Sequence, residues 1–164
     1  MIITCSLVSV LMACISWQDD KTIQDPPNKI SGKGFAVVEL FTSEGCSSCP
    51  PADDLLAKIQ HDYKDSLVYV LAWHVDYWDH LGWRDRFSDH LFTNRQRWYA
   101  DLLHVRSIYT PQVVVNGTTE YVGSKREPIL KAINDGLDQS STTTLVLNGR
   151  VEGKKLNIEY QTAS

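Results

Sequence analysis

A single CxxC and no second one set the first limit on this chain. Its four cysteines fall at positions 5, 14, 46 and 49 of 164 residues, so a Cys-rich zinc centre lacks its second pair of ligands. Lys and Arg are scattered and the formal charge is −4. No basic stripe exists to follow a nucleic-acid backbone, and so mild an acidity names no partner. No apolar run is long enough to cross a bilayer as a helix; the best candidate, residues 1–13, is too short. There is no internal repeat. Low complexity is confined to a tether near the start and to Ser140–Thr144. What remains is room for one ordinary domain with a sizeable core, plus appendages.

The short apolar start, Met1 to Ala13, carries no Lys or Arg but fits the hydrophobic region of an export signal. It ends in Leu11-Met12-Ala13-Cys14, which looks like a bacterial lipobox in which Cys14 becomes the lipidated N-terminus. The bland alternative is a buried apolar N-terminal segment. Residues 14–33, with Pro26, Pro27 and Gly32, read as a tether. With the leader removed and Cys14 lipidated, only Cys46 and Cys49 remain as thiols. In an oxidising compartment such a pair forms a disulfide or cycles through one.

Cys46-Ser47-Ser48-Cys49 lies between an apolar β-type run, Phe35 to Phe41, and a helical pattern opening at Pro50. Ala52, Leu55, Leu56, Ile59 and Tyr63 form its apolar stripe, with Asp53, Asp54, Lys58 and Asp62 facing away. At a helix start the first Cys is expected to be exposed, and unpaired N–H groups and the positive dipole end favour its thiolate. Cys49, one turn in, is placed to attack a mixed disulfide formed by Cys46. Leu67 to Trp73 reads as a buried strand parallel to the first. An aromatic, charged insertion follows from Asp76 to Ser88. Then Phe87, Leu91, Phe92, Trp98, Tyr99, Leu102 and Leu103 fall on one helical face. Thr110-Pro111 leads into Val113-Val114-Val115 and the turn pair Asn116-Gly117, a loop entering a strand and a hairpin. Arg126 to Asp138 is a further amphipathic helix, on Ile129, Leu130, Ile133 and Leu137. Thr142 to Leu147, a turn at Asn148-Gly149, and Leu156 to Tyr160 read as a β-rich extension.

This order of elements resembles the thioredoxin superfamily over roughly residues 34–138. Val38 to Asp53, with Trp73-His74-Val75-Asp76-Tyr77-Trp78-Asp79 and Gly82-Trp83-Arg84-Asp85, resembles a secreted family of unassigned function catalogued as domain of unknown function 1223. The resemblance implies an α/β thioredoxin-like fold, a central mixed sheet flanked by helices, with an inserted aromatic loop and a β-rich extension over 139–164. It implies a cis Thr110–Pro111 bond facing the Cys pair, where the residue before the proline holds the substrate chain. It also implies a buried carboxylate, Glu39, that accepts the proton of Cys49, although here the spacing to Cys46 is one residue longer than usual.

Three functions stay open at this point. The first is an exported, lipid-anchored thiol-disulfide oxidoreductase of the bacterial cell envelope, with Cys46 as nucleophile, Cys49 as resolving thiol, and Thr110, Pro111 and Glu39 in support. It needs no organic cofactor, and its partners are protein thiols and disulfides. The second is a metal-binding or copper-delivery module using Cys46, Cys49 and His74. Its motif is His74-x-Asp76-x-x-Asp79-His80, set against an ordinary packed aromatic loop. The third is a binding domain whose Cys pair is a structural staple. Arg84, Asp85, Arg86, Arg95 and Arg97 read as solvated or salt-bridged residues. His61, His90 and His104 carry no pattern.

Overall fold

Seven residues of almost unbroken apolar character, Ala36–Thr42, form β1. A strand apolar on both faces must be covered on both, and β1 is flanked by neighbours on either edge. It pairs in parallel with β2, Val68–His74, and antiparallel with β3, Gln112–Val115. β3 in turn pairs antiparallel with β4, Thr119–Val122, giving the order β2-β1-β3-β4. Asn116 and Gly117 make the β3–β4 turn, with φ of 50° and 67°. That left-handed pair is what a mirror-image hairpin turn needs. The computed structural model that gives this sheet describes residues 34–140 and 144–163. The leader, Cys14 and the tether lie outside the described residues.

Alternation along β1 divides the core in two. Val38 and Leu40 meet α1, Pro50–Asp62, and α3, Arg126–Asp138, in a cluster with Ala52, Leu56, Ile59, Val113, Ile129 and Ile133. Phe41 points the other way, into a smaller cluster with Val75, Val114 and Tyr99 of α2, His90–Leu102. The result is a mixed four-stranded sheet with helices on both faces, the thioredoxin-like arrangement expected from the sequence. No helix among the described residues is long and apolar enough to cross a membrane.

Three local expectations change. The apolar stripe assigned to α2 is only in part its buried face. Leu91 is 69% exposed and Trp98 56%, whereas Thr93, Gln96, Tyr99 and Ala100 are buried. Polar Thr93 and Gln96 face inward because each satisfies backbone or side-chain groups of neighbouring loops, which a count of apolar residues does not see. The insertion is not simply a loop, since Asp76–Leu81 forms a 3₁₀ helix ended by Gly82 at φ 94°. In the C-terminal hairpin, β5, Thr144–Glu152, runs through Asn148-Gly149, and β6 is Lys155–Ala163. The turn falls at Gly153, which supplies the left-handed φ of 61°.

Candidate active site at the start of helix α1

β1 delivers the chain to a tight loop in which the Cys46 amide donates to the Ser43 carbonyl and the Cys49 amide to the Cys46 carbonyl, both at 3.1 Å. Cys46 and Cys49 are joined by a disulfide, with Cα atoms 5.4 Å apart. Cys49 is the N-cap of α1 and Pro50-Pro51 follow at its first two positions, where the missing N–H groups cost nothing. Thr110–Pro111 is cis. Its hydroxyl reaches the pair, with Thr110 Oγ1 donating to Cys46 Sγ at 3.3 Å. Ser48 Oγ stands 3.5 Å from both Cys46 Sγ and the Thr110 carbonyl. Trp78 of the 3₁₀ helix donates from Nε1 to Thr110 Oγ1 at 2.8 Å.

Two expectations about Cys46 are corrected here. It is only 2% exposed, barely more than Cys49 at 0%. The insertion packs against the residue before Cys46, since a Cβ on Gly45 would stand 3.1 Å from that of Trp78. Nor does α1 offer unpaired amides: Pro50 and Pro51 have none, and those of Ala52 and Asp53 both go to the Cys49 carbonyl, at 2.8 and 3.1 Å. The dipole end remains, but the donors actually aimed at Cys46 Sγ are hydroxyls.

Glu39 is turned away from this pair. β1 places its side chain on the α2 face, opposite α1. There Arg95 grips it from Nε at 2.5 Å and Nη2 at 2.9 Å, Tyr99 donates at 2.5 Å and Trp73 Nε1 at 2.7 Å. Burial pushes this carboxyl up, but Arg95, Tyr99 and Trp73 together bring it below its ordinary value. The same pairing, after burial, lifts the Tyr99 phenol to about 12. The carboxylate on the α1 side is Asp53. Read from the helical stripe as facing away, it accepts from Thr42 Oγ1 at 2.9 Å. Burial raises its pKa ahead of the opposing Thr42 bond and the charge of His74.

The His74-x-Asp76-x-x-Asp79-His80 motif does not converge. His74 Nδ1 lies 2.6 Å from Asp85 Oδ2, Asp76 bonds Thr93 and His90, Asp79 accepts from Ser88 and the Asp85 amide, and His80 Nδ1 contacts the Tyr77 carbonyl. No group of three or more His, Cys, Asp or Glu among the described residues is placed to hold a metal ion. Asp79 and His80 bond within the insertion, whereas His74 reaches Asp85 and Asp76 reaches His90 and Thr93 of α2.

Asp85, read from sequence as solvated or salt-bridged, is 1% exposed and pairs with His74. It accepts from the amides of Glu44 and Phe87, both at 2.9 Å, as well as from His74. Burial acts to raise its pKa, but these donors hold it below the usual value. It thereby ties the loop before Cys46 to the end of β2. Gln96 was also missed. Fully buried, it donates to the Tyr109 carbonyl at 2.7 Å and to Gln112 at 2.9 Å, and accepts from Tyr77 at 3.2 Å. No sequence signal marks either role, because both depend on backbone groups supplied by distant segments.

Fold and site together define a thioredoxin-like α/β domain carrying a Cys46–Cys49 disulfide at a helix start. A family model described as protein of unknown function (DUF1223) matches residues 37–164, and the chain belongs to that family. Protein AGR_C_4864 of Agrobacterium tumefaciens, known from a crystal structure, is similar at 36% identity with a TM-score of 0.60, over 75% of this chain and 54% of that one. The chain thus spans about half the length of that relative. HBP35 of Porphyromonas gingivalis aligns at 19% identity and a TM-score of 0.43, over 71% of this chain and 37% of that one, too distant to carry an argument. No curated protein matches the chain.

Proposed function

We propose that this domain is an extracytoplasmic thiol-disulfide oxidoreductase acting on protein substrates through Cys46 and Cys49. The observation that carries the reading is the Cys46–Cys49 disulfide at the start of α1, with the Thr110 hydroxyl 3.3 Å from the Cys46 sulfur. A structural staple needs no polar donor directed at one of its sulfurs. An exchanging pair does, because the thiolate is the reacting species.

In the reducing direction, the Cys46 thiolate attacks a substrate disulfide, forming a bond from Cys46 Sγ to one substrate sulfur and releasing the other as thiolate. Cys49, deprotonated, then attacks Cys46 Sγ, restores the Cys46–Cys49 bond and releases the second substrate thiol, so two electrons pass to the substrate. In the oxidising direction each step reverses, and the reduction potential decides which runs. Substrates are protein thiols or disulfides, and a partner thiol protein resets the pair. The leader and Leu11-Met12-Ala13-Cys14 support a place in the bacterial cell envelope, anchored by lipid at Cys14.

The test is covalent trapping. Without its resolving thiol, Cys49→Ser accumulates mixed disulfides at Cys46, seen on non-reducing gels of envelope extracts as bands that vanish with reductant. Cys46→Ser and the double variant form none. Equal adducts from both single variants, or none from either, would remove the reading.

A further inference from the structure

The helix that begins at the Cys pair supplies no free amide, so whatever favours the Cys46 thiolate has to come from its other neighbours. Thr110 Oγ1 is the closest polar donor to that sulfur. A threonine hydroxyl has one proton and can turn it toward any acceptor in reach. What limits this one is Trp78. An indole N–H only donates, so the 2.8 Å bond from Trp78 Nε1 fixes Thr110 Oγ1 as the acceptor on that side and leaves its proton for another partner.

The acceptor in reach is Cys46 Sγ at 3.3 Å, and the bond to it strengthens when that sulfur is a thiolate, because hydrogen bonds to charged groups are about twice as strong. The neighbouring Tyr77 hydroxyl commits its own proton to Gln96 at 3.2 Å. The tyrosine carbonyl of residue 109 is itself held by Gln96 at 2.7 Å. The 3₁₀ helix and α2 therefore clamp both Tyr109 and Thr110.

We propose that Trp78, on the inserted 3₁₀ helix, is a positioning residue that increases the acidity of Cys46 by directing the Thr110 hydroxyl proton onto its sulfur. This rests on the disulfide-exchange reading above. Losing a directed bond to a charged group raises the Cys46 pKa by about one unit. The thiolate fraction below that pKa falls about tenfold, while the more basic thiolate regains about threefold in nucleophilicity, leaving alkylation about threefold slower.

The experiment is site-resolved alkylation of Cys46 across pH, in the reduced full chain, read by mass spectrometry. Trp78→Phe removes the N–H, and benzothienylalanine at position 78 removes it while keeping the shape of the ring. Both are expected to raise the Cys46 pKa by about one unit. Thr110→Val matches them, Thr110→Ser stays at the wild-type value, and Trp78→Phe with Thr110→Val shifts no further than Thr110→Val alone. Cys49, Glu44, Asp53, His74, Asp85 and Tyr77, the ionisable groups around the loop of the reduced chain, are unchanged in every variant, so the differences report the relay. A benzothienylalanine protein that titrates like wild type, or additive shifts in the double variant, overturns the proposal. If wild-type Cys46 already titrates as a free cysteine and Cys49→Ser traps nothing, the exchange reading itself fails. If Cys49→Ser traps partners and only the Trp78 variants are silent, the relay alone falls.

Discussion

Glu39 shows how a single residue can satisfy a sequence pattern and serve another purpose. A charged residue in an apolar strand has to be paired, hydrated or functional, and the sequence does not choose among these because it does not show which helix covers which face of β1. The structure pairs it with Arg95, whose guanidinium also lies 5.2 Å from the Tyr99 ring centre and 5.5 Å from that of Trp73. Arg95→Met leaves a buried carboxylate short of its cation and should cost about 3 kcal/mol by denaturant titration. The pH dependence has a definite sign. Glu39 is held below its ordinary pKa, so its stabilisation is present above the unfolded-state pKa of about 4.3 and is lost as pH falls through the folded value. Arg95→Met should therefore lose most stability at neutral pH and converge on wild type in acid. Its trapping behaviour in a Cys49→Ser background should be unchanged, whereas a weakened trap would return Glu39 to the exchange chemistry.

At the scale of elements, the strands and helices that carry the site were legible because their apolar periods are strong. β1, α1, α3 and the Asn116-Gly117 turn follow the pattern directly; β2 is the expected parallel partner of β1, but it lies at the sheet edge with Tyr69 and Leu71 exposed rather than buried. The buried face of α2 was legible only in part, because Gln96 and Thr93 earn their burial through hydrogen bonds to other segments. The same holds for the insertion, where Trp78 and Asp85 act through the loops they meet. Packing between elements also fixes Pro111. A Cβ on Gly123 would come within 2.9 Å of the Pro111 Cβ, 3.0 Å of the Ala52 Cβ and 3.2 Å of Leu40 Cδ1. β4 thus needs glycine just beyond its end for the Pro111 loop and α1 to approach each other. Gly123→Ala is expected to cost about 1–3 kcal/mol as overpacking, measured by thermal or denaturant unfolding. A neutral substitution would mean this contact gives way freely and that Pro111 is not held from below.

For the whole molecule, the sequence carried the fold class and the family, since both rest on the order of elements and on motifs around Cys46. Surface covering and proton geometry were not legible, because they arise where the insertion, the Thr110 loop and α1 converge from segments far apart in the chain. The family has no assigned activity in its description, and this chain spans about half of its Agrobacterium relative, so the redox reading stands on the chemistry of the site. Its most direct test is the reduction potential of the Cys46–Cys49 disulfide, equilibrated against glutathione buffers. An exchanging pair is expected to lie between about −120 and −270 mV, the span of working thiol oxidoreductases. A value below about −300 mV, where structural disulfides lie, would contradict the account and make the pair a staple.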